Sequence, residues 1–457
     1  MTRRALSVVI LLFALTGIAA LAQATLDRSK PPTPGPTPML RVPAWTRYTL
    51  GNGAQLVVSE KHDLPLVSFT LTISGGYNQA DPAARRGLAD MTAAMMSEGT
   101  KTRDGEALAA ALQLLGTTVA VRIGGETGAI AFECIASRFP ATLDIVADML
   151  VNPSFPPEAL ERLRAQRLVA LVQARDQTGA IASRVFPRLV YGDAHPYGQN
   201  ITEATLKAIT RDDVVAFHRA YFRPGQALVT VVGDVHAAGA KAAIEKALAA
   251  WPRGGEKPVF QYPAVAAPRA STIYLVDKPG AAQSTFAIGT TGPPRSTSDY
   301  YALQVMNTIL GGMFQSRLNA NIREEKGYSY GVSSSFAYGK GPGAFRAGGD
   351  IVSAKSDAAL MEFMKELKGI RGERPITDEE LSTAKDALTQ RLPGTFASVR
   401  SVNTAMVTLW TQGRQQQSRA SRIGAHVRAL VRNVDGLPQS ICCSTSVASL
   451  MIANAGP

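Results

Sequence analysis

The sequence is poor in cysteine and histidine, the residues from which most transition-metal sites are built. It contains three cysteines, of which Cys442 and Cys443 are adjacent and Cys134 stands alone in an apolar context, so it offers no disulfide framework. The histidines are His62, His195, His218, His236 and His426. No two of them stand four residues apart or at another spacing typical of metal ligands. The sequence therefore predicts no metal site in this chain, although a site assembled from distant residues stays open.

Acidic residues are fewer than basic ones, and the formal net charge is +12. The basic residues are scattered, without interleaved aromatic residues or a nucleic-acid-binding motif. We interpret this charge as solvated surface and expect no nucleic-acid partner. With 46% apolar and 18% charged residues, the composition is that of a globular protein and excludes a wholly disordered chain.

The first 24 residues have the pattern of a secretory signal. Arg3 and Arg4 precede an apolar run over residues 5–21, and Ala22-Gln23-Ala24 fits a small-x-small cleavage site. We expect cleavage after Ala24 and a periplasmic or secreted mature protein that does not span the membrane. A transmembrane anchor is the alternative, but the apolar run is short for a bilayer and the cleavage triplet follows at once.

Beyond the signal, the chain divides into two α+β units. The sequence predicts a hairpin at Gly51-Asn52-Gly53, strands over residues 66–74 and 284–290, a helix over residues 83–97, and a helix that begins with a capping box of Thr377 and Glu380. Residues 25–44 form a proline-rich linker, residues 45–250 a first domain, residues 251–268 a second linker and residues 269–413 a second domain. The order of predicted strands and helices is similar in both domains, which suggests an internal duplication; two unrelated α+β domains are the alternative. Residues 414–457 lose the pattern and are rich in Arg, Gln and Ser. This atypical tail suggests a shifted reading frame or a replaced terminus, and we expect the second sheet to lack its last strand.

Several motifs together resemble those of the pitrilysin/insulinase-type zinc peptidases, whose inverted zinc motif reads HxxEH. The resemblance is to the short bacterial members and to the mitochondrial processing peptidase subunits. It implies two similar domains, each a mostly antiparallel sheet packed on one face by helices. The matching segments are YTLGNGAQLVV, RRGLADMTAAMMSEGT, HPYG, YFRPGQALVTVVGDV, QSTFAIG and ILGGMFQSRLNANIREEKGYSYGV.

The zinc motif itself is replaced. Where the family carries its two histidines and the catalytic glutamate, this chain has Asp90, Ala94 and Ala93, and Ala170 aligns with the third ligand, a glutamate. A catalytic zinc site needs three protein ligands and a base for the attacking water. We therefore expect no zinc and no catalytic residue in this chain.

The substrate-binding pair of the family is retained. Arg323 and Tyr330 lie seven residues apart across a charged, glycine-containing bend, and both side chains are hydrogen-bond donors. The resemblance implies that they hold the substrate backbone opposite a zinc site. Gly311 and Gly312 suit a loop at the mouth of the substrate chamber, and termination of a helix by glycine is the alternative.

The intact pair and the vacated zinc motif favour a non-catalytic, substrate-binding subunit of a heterodimeric zinc metalloendopeptidase. Its partner would be a family member that carries HxxEH and the zinc, and its substrate a peptide or unfolded protein held as an added strand. Two alternatives stay open: a structural or binding homologue without a peptidase role, and a stand-alone metallopeptidase with a rebuilt metal site.

Overall fold

The computed structural model describes residues 43–256, 259–266, 270–411 and 448–453, which belong to one compact unit. The expected signal peptide lies outside the described residues, as do nearly all of the proline-rich linker and most of the atypical tail. None of the helices in the described ranges is long and apolar enough to cross a membrane.

The first half contains a six-stranded sheet with the strand order β1-β2-β6-β3-β5-β4. Within it β2 and β6 run parallel, and the other neighbouring strands are antiparallel. The strands are β1 (Thr46–Thr49), β2 (Gln55–Glu60), β3 (Leu66–Ser74), β4 (Ala120–Ile123), β5 (Thr127–Ile135) and β6 (Ala227–Gly233). The hairpin predicted at Gly51-Asn52-Gly53 joins β1 to β2 and places Gly53 in the left-handed region, with φ +99°.

Most helices of the first half pack on one face of this sheet, whereas α6 packs on the second sheet. Phe69 and Leu71 of β3 are fully buried against residues such as Met91, Leu143 and Val146. The helices are α1 (Tyr77–Ala80), α2 (Leu88–Met95), α3 (Gly105–Leu114), α4 (Phe139–Val151), α5 (Pro157–Gln173), α6 (Thr178–Tyr191), α7 (Glu203–Lys207), α8 (Arg211–Tyr221) and α9 (Ala237–Ala247).

The second half contains a five-stranded sheet with the order β7-β11-β8-β10-β9. Its strands are β7 (Thr272–Asp277), β8 (Gln283–Thr291), β9 (Ser329–Phe336), β10 (Ala344–Val352) and β11 (Ala448–Ala453). Its α-helices are α10 (Tyr300–Asn307), α11 (Ser356–Lys368), α12 (Asp378–Gln390) and α13 (Val399–Thr411). Three further segments are π-helical, Thr308–Gly312, Asn319–Glu325 and Gly369–Glu373. The predicted capping box of Thr377 and Glu380 begins α12.

The two sheets repeat one topology, which supports the predicted duplication. The outer parallel pair β2/β6 corresponds to β7/β11, and the antiparallel neighbours β6/β3, β3/β5 and β5/β4 correspond to β11/β8, β8/β10 and β10/β9. Two unrelated α+β domains would not be expected to share both the order and the direction of every one of these pairings. Strands β4 and β9 consequently occupy equivalent edges.

The prediction that the second sheet lacks its last strand is wrong. Strand β11 comes from the atypical tail and lies between β7 and β8, parallel to β7 and antiparallel to β8. It fills the position that β6 fills in the first sheet. The short apolar run at residues 448–453 is sufficient for a fully flanked strand, because such strands need no polar alternation.

Each half also contributes one helix to the opposite sheet. Helix α13 of the second half lies against β3 and β6 of the first sheet, where Val402 and Met406 pack with Val232. In return, α6 of the first half lies against β8 and β11, and Phe186 packs with Ala287. The expected sheets packed by helices are confirmed, but the second face of each is covered by a helix from the other half.

Asn403 is the polar centre of the contact between α13 and the first sheet. Its side chain is buried, donates to the Ser68 carbonyl over 2.8 Å and accepts a hydrogen bond from the Thr230 hydroxyl. Asn403→Leu removes these buried hydrogen bonds and leaves the Thr230 hydroxyl only its longer contact with the Thr70 carbonyl, so we expect the free energy of unfolding to fall by about 1–3 kcal/mol. Urea denaturation measures the change. The neighbouring exposed Thr404→Ala is the control, and equal losses for both variants would contradict the assignment.

Candidate functional site

Helix α2, which carries the degenerate zinc motif, begins at a fixed position. Gly87 precedes it with φ +103°, a left-handed conformation that favours glycine. The Asp81 carboxylate accepts hydrogen bonds from the backbone N–H groups of Gly87 and Ala89 over 2.8 and 2.7 Å, which satisfies free donors at the helix start. Burial of Asp81 raises the pKa of its carboxyl group above the usual value. The helix therefore keeps a defined orientation although its metal ligands are gone.

The vacated zinc positions face an arginine. Asp90 is exposed, and its Oδ2 lies 2.6 Å from the Nε of Arg167 on α5, the helix packed beside α2. Ala93 is buried and Ala94 half-buried on α2, whereas Ala170 is exposed on α5. Sequence analysis missed Arg167; its position three residues before Ala170 on the same helix is the signal that would have identified it.

These residues do not fit a zinc ion. Three of the four positions are alanines, which have no donor atom, and the remaining carboxylate is already paired with a guanidinium. Among the described residues, Asp90 does not belong to any group of three side chains that could hold a metal. At these positions, α2 and α5 are thus joined by an ion pair.

Arg323 lies in the last turn of the π-helical segment Asn319–Glu325. Its guanidinium carbon lies 4.0 Å from the ring centroid of Phe314, and Phe314 is 67% exposed. Nη1 approaches Glu324 Oε1 to 2.9 Å, the distance of an ion pair, yet this nitrogen lacks an acceptor with hydrogen-bond geometry among the described residues. Nη1 is itself buried, so a bound peptide would contact the exposed part of this side chain, which is 29% exposed overall.

Tyr330 follows directly, at the start of edge strand β9. Gly327 reverses the chain with φ +63°, and its N–H donates to the Arg323 carbonyl, while that of Tyr328 donates to Ile322. The strand then begins at Ser329, and Tyr330 is 93% exposed. The Tyr330 hydroxyl is therefore accessible to a molecule bound beside β9.

The outer edge of β9 is already paired within the chain. The Val332 N–H donates to Asn319 Oδ1 over 2.9 Å, and the Ser334 carbonyl accepts from Asn307 Nδ2 over 3.0 Å. These backbone groups would otherwise be free to receive an added strand. A peptide bound here would therefore contact the side chains of Arg323 and Tyr330. The backbone groups of Val332 and Ser334 are not available to pair with it, so the predicted added strand does not apply at these two residues.

Gly311 and Gly312 are not a loop in this structure. They end the π-helical segment Thr308–Gly312, and Gly311 is buried. A Cβ atom on Gly311 would lie 2.5 Å from the backbone nitrogen of Ser334, and one on Gly312 would lie 2.9 Å from the Asn307 carbonyl oxygen. Close packing against β9 and α10 is thus the physical reason for the two glycines, and the predicted mouth loop is wrong.

An ion pair between buried Arg317 and half-buried Glu380 anchors the segment between the two glycines and Arg323. Arg317 donates from Nε and Nη2 to the two oxygens of Glu380, both over 2.6 Å, and also to the carbonyls of Arg374 and Pro375. The guanidinium lowers the pKa of Glu380 to about 2. This bidentate pair fixes the SRLN turn onto the start of α12 and so holds the Arg323 segment in place.

The HPYG motif joins the two halves. The Tyr197 hydroxyl donates to Glu126 over 2.6 Å and accepts from the Gly341 N–H of the second half, while Tyr262 of the linker donates to the same carboxylate over 2.9 Å. His195 is buried and stacks between Tyr191 and Tyr262. These contacts give the motif a structural role.

Comparison with known proteins identifies the same family in both halves. The model described as "Insulinase (Peptidase family M16)" matches residues 56–188, and the one described as "Peptidase M16 inactive domain" matches residues 208–388. The "Uncharacterized zinc protease YmxG" of Bacillus subtilis is 24% identical over 367 residues, 79% of this chain and 86% of that protein. The "Non-peptidase homolog YmxG" of Helicobacter pylori is 24% identical over 342 residues, 73% of this chain and 76% of that protein.

A solved structure shows the same fold. The crystal structure of a peptidase M16 inactive domain from Pseudomonas fluorescens matches with a TM-score of 0.80 at 22% sequence identity. The match covers 90% of this chain and 98% of that chain. The fold therefore extends over nearly the whole of both molecules.

Proposed function

This chain belongs to peptidase family M16, the insulinase-type peptidases, and from that membership we propose that it is the non-catalytic, substrate-binding subunit of a periplasmic zinc metalloendopeptidase heterodimer. The contrast between the two halves carries the proposal. The second half retains its two hydrogen-bond donors: the Tyr330 side chain is exposed, and Nη1 of Arg323 has no hydrogen-bond acceptor among the described residues. In the first half, the Asp90–Arg167 ion pair lies at the metal position. A chain with only half of the machinery needs a partner with the other half.

In the assembled pair, the metal and the attacking water belong to the HxxEH-bearing partner. The residues of this chain bind and orient the substrate. The Arg323 guanidinium and the Tyr330 hydroxyl donate hydrogen bonds to a carbonyl of the bound peptide near the bond to be cleaved. Because these donors are held by the π-helical segment and by β9, they require little reorganisation when negative charge develops on the carbonyl oxygen.

The substrate class follows from these donors. They contact backbone carbonyls, which every peptide in an extended conformation presents, and they read no particular side chain. The proposed substrate is therefore an extended peptide or a segment of unfolded protein. The positive net charge gives weak long-range attraction to acidic peptides, which salt screens.

The proposal predicts that cleavage depends on both chains. We expect the mature chain alone to cleave no peptide, and its co-expression with an HxxEH-bearing family member to yield a heterodimer that cleaves unstructured peptides in a chelator-sensitive manner. Size-exclusion chromatography and a fluorogenic peptide assay measure assembly and turnover. The partner alone, at the same zinc occupancy, is the control.

The other outcomes distinguish the alternatives. A heterodimer that forms but cleaves no faster than the partner alone would indicate a structural or binding homologue, a role compatible with the name of the Helicobacter pylori relative. Chelator-sensitive cleavage by the isolated chain would indicate a stand-alone peptidase with a rebuilt metal site. Either result would overturn the proposed subunit.

A further inference from the structure

Two of the histidines that look isolated in the sequence meet at the edge of the first sheet. Strands β2 and β6 are parallel neighbours, and the last residue of β2, Glu60, pairs with Gly233 at the end of β6. The chain segments that leave both strands therefore start side by side. His62 follows β2, Asp234 and His236 follow β6, and the rings of the two histidines lie 5.5 Å apart.

We propose that Glu60, His62 and His236 form a binding site for a divalent transition-metal ion of the zinc class. Glu60 Oε2 lies 3.3 Å from His62 Nε2 and 3.6 Å from His236 Nδ1, and the three ligand atoms all lie within 4.8 Å of one another. A tetrahedral zinc ion with bonds of about 2.0–2.1 Å places neighbouring ligand atoms roughly 3.3 Å apart. The arrangement needs only small side-chain rotations to close on an ion.

A fourth residue orients the first histidine. Asp234 Oδ1 lies 2.7 Å from His62 Nδ1 and accepts a hydrogen bond from its N–H, a tautomer that leaves the Nε2 lone pair directed towards Glu60. A carboxylate that holds the far nitrogen of a ligating histidine is the usual support of zinc sites, because it fixes the tautomer and the ring orientation. This contact therefore distinguishes the group from an incidental pair of histidines.

The two carboxylate oxygens of Glu60 contact different groups. Oε1 accepts a hydrogen bond from the backbone N–H of Ala237 over 2.9 Å, so Oε2 is left to face both histidines. The carboxylate is thereby held in position beside both rings.

The site binds a metal without the parts needed for hydrolysis. Glu60 is a ligand and Asp234 is occupied by His62, so neither carboxylate of the group is free to act as a base. With His62 45% and His236 88% exposed in their side chains, water completes the coordination. The ion would link the segment that follows β2 to the turn between β6 and α9. The degenerate zinc motif lies elsewhere, on α2 and α5.

Calorimetric titration of the untagged mature chain with Zn²⁺ at pH 7.5 tests this site, and needs neither a partner nor a substrate. We expect a one-to-one component that His62→Gln and His236→Gln each weaken at least tenfold and that Asp234→Asn weakens by about 10–100-fold. His426→Gln controls for loss of a histidine outside the group, and Glu203→Gln controls for loss of an exposed carboxylate. Both controls should bind as the unmodified chain does.

A second readout confirms that the ion acts on the fold. Because an ion that binds the native state stabilises it, zinc should raise the unfolding temperature of the unmodified chain and of both controls, and not that of His236→Gln. Absence of stoichiometric binding would overturn the site, as would equal affinity in the His62→Gln, His236→Gln and control variants. In those cases the four residues form a surface ion-pair group only.

Discussion

Tyr330→Phe in the assembled heterodimer is expected to lower peptide cleavage at least tenfold. The substitution removes one hydroxyl from a side chain that is 93% exposed, so the fold and the assembly should be unaffected. A fully engaged donor to a developing oxyanion is worth about 2.7–4 kcal/mol, which sets the upper limit of the loss at roughly 10²–10³-fold. Turnover by the purified pair, measured under saturating peptide, gives the effect.

Arg323→Lys should cause a loss of similar size, because lysine keeps the charge but not the planar fork that stacks on Phe314. Tyr328→Phe is the matched control, since it removes the same hydroxyl two residues away, from a side chain packed against the core of the second half. Unchanged turnover of Tyr330→Phe in an intact heterodimer would show that the pair does not hold the substrate.

Glu380→Gln is expected to destabilise the second half by about 2–3 kcal/mol, less than breaking a fully buried ion pair costs, because the Glu380 side chain is 29% exposed. The variant leaves the Arg317 guanidinium, which is 6% exposed in its side chain, without a compensating charge. Urea denaturation measures the loss. Glu203→Gln, which breaks an exposed pair with Lys207, should change the free energy of unfolding by less than about 0.5 kcal/mol.

The same pair predicts a pH dependence. The pKa of Glu380 is lowered in the folded state from 4.5 to about 2, so its contribution to stability is fully present above pH 4.5 and is lost as the pH falls towards 2. The difference in unfolding free energy between the unmodified chain and Glu380→Gln should therefore shrink between pH 4.5 and 2. A difference that stays constant over this range would contradict the ion pair.

Except for β11, the strands of both sheets could be predicted because their apolar and β-branched runs are unambiguous. The strand predicted over residues 66–74 has the same bounds as β3, and the one predicted over residues 284–290 differs from β8 by one residue at each end. The helix predicted over residues 83–97 begins later, at Leu88, because Gly87 takes a left-handed conformation that an α-helix cannot contain.

What could not be predicted depends on contacts between distant parts of the chain. Arg167 and Asp90 are separated by 77 residues and meet only because α5 packs on α2. His62 and His236 lie together because β2 and β6 are parallel neighbours. The spacing of metal ligands in a sequence motif is short, so it could not indicate two histidines this far apart in the chain. Strand β11 was not predicted for a different reason. Its six residues pair with β7 and β8, but they stand in a tail rich in Arg, Gln and Ser, a composition that did not indicate a strand.

The reciprocal packing of α6 and α13 makes the chain a pseudo-dimer within one polypeptide. A cut in the linker between the halves would give two fragments, each with a sheet whose second face has lost its helix and with a helix that has lost its sheet. Neither fragment would be a self-sufficient folding unit, although each contains a complete topological repeat. The unit of stability in this protein is therefore twice as large as the repeated topological unit, and cooperative unfolding should involve both halves together.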